Sequence, residues 1–148
     1  MQCSKKIKQS RIQIKKRALI LNAAERVFAR YGFSGSRLKE IAEEAGLPKA
    51  NILYYYKSKD ALYQYVCQDI LENWLGAIGD ISESSEPSEA LRNYIEAKME
   101  LSIRRPNASR VFAMEIISGA PVIGDYLANE LKSWVDNHVQ IFQVWQKR

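Results

Sequence analysis

The stretch EEAGLPKANILYYYKSK, residues 43–59, places a glycine, a proline, three consecutive tyrosines and three lysines in seventeen positions. A buried core has no use for the lysines and a free loop has none for the aromatics, so the segment reads as a surface helix with one buried side. Counted from Leu38, it meets in order the demands of two short helices crossing at a steep angle. Ala42 is the small residue where they touch, and Gly46 is free to take the positive φ of the tight turn. Ile41, Ala45, Leu47 and Ile52 fall where apolar residues must lock the pair. An ordinary helical hairpin would not specify both Ala42 and Gly46, so the spacing predicts a helix-turn-helix.

In such a unit the second helix enters a DNA major groove with its first turn leading. That places Lys49, Ala50 and Asn51 at base edges, with Ile52 and Leu53 turned back toward the core. Asn51 can pair in two places with adenine, whereas an Asn at a helix start also serves as a cap or is solvated, and both readings stay open. Tyr54 and Tyr55, with Lys57 and Lys59 just beyond, fall where the duplex backbone would pass. Tyr54 is expected to meet phosphate through its hydroxyl, and Tyr55 or Tyr56 to pack. Lys59, at the positive end of the next helix, is expected to hold a second phosphate. Ser36 and Arg37, opening the first helix of the pair, make the other phosphate anchor.

The charge distribution agrees with a polyanionic partner. Residues 1–66 carry 14 Lys+Arg against 5 Asp+Glu, while residues 67–148 carry 8 against 12. The basic half favours nucleic acid, with counterion release driving association, and the acidic half does not.

The rest of the pattern is helical. Residues 1–16 hold six Lys and Arg and no acid, and are expected to form a disordered basic arm that becomes helix near Ile14 or Arg17. Leu19, Ala23, Val27 and Tyr31, with Ile20, Ala24 and Phe28, then form an apolar face that Gly32 closes as a C-cap. Ser36 is expected to cap the next helix, Pro48 to be the first residue of the third, and Ser58 to cap a fourth carrying Leu62, Val66, Ile70, Trp74 and Ile78. GDISESSEP, residues 79–87, is the clearest linker, followed by helices at about 88–104, 106–118 and 121–146. The fold is expected to be all-α: the basic arm, a DNA-binding domain over 17–63, and a helical effector-binding and dimerisation domain over 64–148.

ILNAAERVFARYGFSGSRLKEIAEEAGLPKANILYYYKSKDALY, residues 20–63, resembles the DNA-binding domain of TetR-family transcriptional regulators. That family's habit is I-x-x-A-A-x-x-x-F, a glycine-led turn, I-A-x-x-A-G, then L-Y-x-x-F-x-S-K-x-x-L. The resemblance implies a homodimer on a two-fold symmetric, palindromic operator in double-stranded DNA, and a repressor modulated by a small-molecule effector. The tyrosine run, the segment ASRVFAMEIISGAP and the basic arm are similar to the pyrimidine-utilisation regulators of that family, which implies an effector of the uracil type. The family has Gly or Thr at many of its counterparts of Asn51, so no operator sequence carries over. Its members continue for two further helices that build the dimer's four-helix bundle, whereas this sequence stops at VWQKR. It therefore reads as C-terminally truncated and is expected to dimerise weakly or not at all.

Beyond residue 60, Trp74, Tyr94, Met99, Phe112 and Met114 offer aromatic and polarizable walls for an effector pocket, and all of them serve equally as core. His138 interrupts an apolar stripe of Leu127, Leu131, Trp134, Ile141 and Trp145, and reads first as a packing residue and second as a ligand contact. An enzyme is disfavoured, since there is no Ser/His/Asp order, no glycine-rich phosphate loop and no pairing for Glu100 or Glu115. Cys3, Cys67 and the single histidine cannot assemble a zinc site, and no metal or cofactor is expected. No run of eighteen apolar residues and no signal-type N-terminus occurs, which predicts a cytoplasmic protein. The competing reading is a helical adaptor that binds protein alone; it explains the helices but not the basic half.

Overall fold

A computed structural model describes residues 2–76 and 81–147, with side chains from Arg11 onward. Among them every regular element is helical: α1 (Gln2–Gly35), α2 (Leu38–Ala45), α3 (Lys49–Tyr56), α4 (Lys59–Gly76), α5 (Pro87–Arg104), α6 (Pro106–Ile117) and α7 (Gly124–Tyr126). A π-helical turn, Leu127–Leu131, then leads into α8 (Lys132–Trp145). No helix among the described residues is long and apolar enough to cross a membrane. The chain divides into two compact units, Met1–Val66 and Cys67–Arg148.

In the first unit, α1 is already helical at Gln2, where a disordered arm was expected. Residues 2–16 contain neither Gly nor Pro, and their Lys, Gln and Arg are good helix formers, so nothing local stops the helix from running back. Ile20, Ala23, Ala24, Val27 and Phe28 form its buried face. Leu19 and Tyr31, expected there too, are 44% and 50% exposed. Leu19 stands one residue, about 100°, round from Ile20, and Tyr31 lies in the last turn before a kink. That kink is at Gly32, whose non-helical backbone (φ 68, ψ 178) ends the first regular stretch as expected, with a short second helical stretch running on to Gly35.

The entry to α2 also differs from expectation. Arg37, not Ser36, is the cap residue, with its N–H donating to Glu40 Oε2 at 2.9 Å. Ser36 is buried, and its hydroxyl donates to the Phe33 carbonyl at 2.9 Å. Gly46 takes the left-handed conformation the turn requires (φ 62, ψ 32), and the Leu47 N–H closes the end of α2 on the Ala42 carbonyl at 3.0 Å. Pro48 precedes α3 as its cap residue, one position earlier than expected. On a helix starting at Lys49, Ile52 and Tyr56 lie four apart and share the buried face, at 1% and 4% exposure. Leu53, expected in the core, is about 100° round from Ile52 and is exposed.

These helices close on an aromatic core in which Phe28 meets Tyr63 edge-on at 4.9 Å and Phe33 packs on Tyr63 at 5.0 Å. Between α3 and α4 the Ser58 N–H donates to the Tyr56 carbonyl at 2.6 Å, across Lys57 at φ 61 and ψ −42. This is the tight three-residue turn with a positive central φ, a strained conformation for any residue but glycine. Ser58 caps α4 as expected, its hydroxyl accepting the Ala61 N–H at 3.0 Å.

In the second unit Cys67, Ile70 and Leu71 of α4 are buried. Arg105, at the α5–α6 junction, pairs with Asp69 at 2.8 Å. Of the expected linker, residues 81–86 form a turn; Gly79 and Asp80, with Ile78 of the expected α4 face, lie outside the described residues. The Glu86 carboxylate caps α5, accepting the Ser88 hydroxyl at 2.6 Å and the Glu89 N–H at 2.8 Å, and these bonds hold its pKa below the ordinary value. Glu115, 2% exposed, accepts the N–H groups of Val122 at 2.6 Å and Ile123 at 3.1 Å. That clamp holds residues 121–123 as a turn, which is why the last helical stretch starts at Gly124 rather than near 121.

Candidate nucleic-acid interface

In the first turn of α3 Lys49 and Ala50 are exposed and Asn51 is half-buried, while Ile52 behind them is sunk in the core. A side chain three residues from a buried anchor on a short helix has little freedom of position, so the backbone of this turn is held as one piece with the domain. Asn51 also carries the first hydrogen bond of the turn, its N–H donating to the Pro48 carbonyl at 2.9 Å. One and a half turns further on, Tyr54 is 72% exposed and stands edge-on to the half-buried Tyr55 at 5.0 Å. Tyr56 is the tyrosine that packs; its hydroxyl donates to the Arg17 carbonyl at 3.1 Å and ties α3 to α1.

Two residues expected at phosphate are occupied inside the fold. Ser36 is buried, so of the two residues expected to meet phosphate at the start of α2 only Arg37 is exposed. Lys59 donates to the Phe33 carbonyl at 2.8 Å and the Ser36 carbonyl at 3.1 Å, with its ammonium 4.3 Å from the centre of the Phe33 ring. The Phe33 carbonyl thus receives two donors, Ser36 and Lys59, and joins the end of α1 to the starts of α2 and α4. No pattern in the sequence distinguishes a lysine that ties carbonyls from one that waits for phosphate, because both sit at a helix start.

The three acids of α2 are each engaged within the fold. On α2, Glu40 bonds the Arg37 N–H, Glu43 pairs with Lys39 at 3.7 Å and Glu44 pairs with Arg26 at 2.5 Å. Arg17, Lys49 and Lys57 have no carboxylate partner among the described residues. Sequence reasoning missed one group at this face: Gln13, Ile14 and Arg17 of α1 line a polar cleft together with Tyr54 and Tyr55. The available signal was the uninterrupted LysLysArg run at 15–17, which the expectation of a disordered arm obscured.

In the second unit the candidate effector residues separate into groups. Trp74 and Phe112 pack at 4.8 Å, and the Lys98 ammonium lies 5.0 Å from the Trp74 ring centre and 5.7 Å from that of Tyr94. Burial pushes the Lys98 pKa below its ordinary value. Tyr94 and His138 line a cavity of about 130 Å³ with Ile81, Leu91, Trp134 and Phe142 among its walls. His138 stacks on Trp134 at 3.7 Å with Nδ1 2.8 Å from the Trp134 carbonyl. A carbonyl only accepts, so Nδ1 carries the proton there. Met99 and Met114 are 60% and 37% exposed and are not among the residues that line this cavity. The stripe from Leu127 to Trp145 is half-buried throughout, and Val135, Val139 and Phe142 beside it are exposed.

Known proteins share both the sequence and the fold. Residues 20–66 match the family model described as bacterial regulatory proteins, tetR family, and residues 67–148 match that of the YcdC-like protein, C-terminal region. The HTH-type transcriptional regulator RutR of Escherichia coli O157:H7 is 43% identical over 140 residues, which are 95% of this chain and 66% of that protein. The chain therefore spans just under two thirds of the length of this relative. The HTH-type transcriptional repressor NicS of Pseudomonas putida is 30% identical over 97 residues, 65% of this chain and 46% of that protein. Among solved structures, a TetR-like transcriptional regulator from Rhodococcus sp. RHA1 superposes with a TM-score of 0.74 at 23% identity, covering 89% of this chain and 72% of the other.

Proposed function

Because this chain belongs to the TetR family of bacterial regulatory proteins, we propose that it is a sequence-specific, DNA-binding transcriptional regulator, a repressor whose hold on its operator is set by a small molecule. The observation that carries the reading is the first turn of α3: Lys49, Ala50 and Asn51 face solvent on a helix anchored by Ile52 and entered through the left-handed Gly46. Groups fixed in that way can meet base edges without an ordering cost at the moment of binding. Arg37, Tyr54 and Tyr55 supply contacts to phosphate, which set register without reading sequence. As a dimer the protein would place two α3 helices in successive major grooves, about 34–36 Å apart or a multiple of that.

Selection from random duplexes followed by footprinting tests this reading. The expected product is a site with a dyad, on which Asn51→Ala loses about 1–3 kcal/mol. On a site altered at the base pair Asn51 reads, the same substitution should lose much less. Equal losses on both sites would assign Asn51 to solvation or capping. Binding no better than that of a neutral protein at low salt would sink the regulator reading and leave the helical adaptor.

The effector we propose is a pyrimidine of the uracil type, on the resemblance of the tyrosine run and of residues 108–121 to pyrimidine-utilisation regulators. Its candidate contacts are Trp74, Tyr94, Phe112 and His138. A ligand acts only through a difference in affinity between the DNA-bound and released forms. Uracil or thymine should therefore weaken operator binding, and operator should weaken uracil binding by the same factor. Anisotropy titrations in both directions check the pair of effects; an unchanged operator affinity at saturating uracil and thymine would exclude this effector class.

A further inference from the structure

We infer that α1 is a DNA-contacting element in its own right, with Arg17 and the tyrosines of α3 forming a phosphate seat beside the recognition helix. The inference rests on the DNA-binding reading above and adds residues to it. Arg17 lines one polar cleft with Gln13, Ile14, Tyr54 and Tyr55. Its backbone is fixed against α3, because the Tyr56 hydroxyl donates to its carbonyl at 3.1 Å. Its side chain is exposed and has no carboxylate partner among the described residues. The cleft thus brings a guanidinium, an amide and two phenols to one place, all of them able to donate to an anionic oxygen.

The position of the cleft decides which anion. Tyr54 and Tyr55 lie five and six residues beyond Lys49, about 8–9 Å along the helix axis. That distance carries the chain from a base edge toward the backbone of the same duplex. An isolated phosphate could enter the cleft, but only a duplex would engage it together with the first turn of α3. Arg11 and Lys15 are exposed on the same helix, and the first 24 residues contain no acid. That stretch carries no acid of its own to repel a phosphate.

Salt-dependent binding of the full chain to its selected site and to an unrelated duplex tests the seat. Arg17→Gln keeps the carbonyl that holds Tyr56 and removes the charge. It should reduce the slope of log affinity against log salt by about 0.9, a loss of about fivefold to tenfold at 0.1 M salt, equally on both duplexes. Arg17→Lys should restore the slope. Inorganic phosphate should compete no better with the wild type than with Arg17→Gln once ionic strength is matched. An unchanged slope for Arg17→Gln, with wild-type melting behaviour, would overturn the inference while leaving the regulator reading intact. A loss confined to the selected site would also overturn it, since a phosphate contact carries no base identity. If the wild type binds neither duplex, it is the regulator reading that falls.

Discussion

Replacing Phe28 with Ala is expected to cost about 3–5 kcal/mol, the range for removing a fully buried ring. Phe28 is 1% exposed and meets Tyr63 edge-on at 4.9 Å, with Phe33 at 6.4 Å, so its loss opens a hole among rings that cannot collapse without moving α4 or the end of α1. A small helical unit has about 5–15 kcal/mol in total, so most of its stability would go. Thermal unfolding should shift down by roughly 10 °C or more, and DNA binding should be lost in parallel. Phe28→Leu should lose much less, because it keeps most of the apolar volume. A melting curve for Phe28→Ala that overlays the wild type would show that the aromatic cluster does not hold this unit together.

The second large effect separates two roles for one lysine. Lys59 is half-buried and its ammonium holds the Phe33 and Ser36 carbonyls, so Lys59→Met is expected to destabilise the first unit by about 2–3 kcal/mol. The stem of methionine still covers Phe33, which confines the loss to the charge and its hydrogen bonds. A lysine that served only as a phosphate anchor would behave in the opposite way: unfolding unchanged, salt slope lower by about 0.9. Denaturant midpoints and salt titrations on the same variant decide between these outcomes. An unchanged midpoint with a reduced slope would return Lys59 to the DNA surface.

Gly46, Ala42, Ile41 and Ile52 were legible in the sequence because a crossing of two short helices leaves few choices at each of those positions. Ser58 was legible for a related reason, since a hydroxyl ahead of a helix start has one favoured use. Ser36 was not. A serine and an arginine side by side can each stand at a cap, and which one turns inward depends on the Phe33 carbonyl, delivered by the bend at Gly32. Leu53 was misplaced for a similar reason. In ILYYY every residue is able to be buried, so only the starting residue of α3 sets which two share the inner face. Arg17 escaped notice because its neighbour in space, Tyr54, lies 37 positions away along the chain. The candidate effector residues divided because an aromatic at helical spacing looks the same from the sequence whether it lines the cavity with Tyr94 or pairs with its neighbour as Trp74 does.

The turn at Lys57 has a consequence for how this position can vary among related sequences. Its main chain is held at φ 61 and ψ −42 between two helices, a geometry that glycine enters freely and other residues only under strain. The set of residues admitted there is therefore chosen by the backbone, although the side chain is exposed and beside a surface proposed for DNA. Exchange of lysine for glycine at this site would be a change of charge permitted by conformation. Variation at position 57 consequently records the geometry of a turn, and it is a poor guide to which operators two relatives prefer.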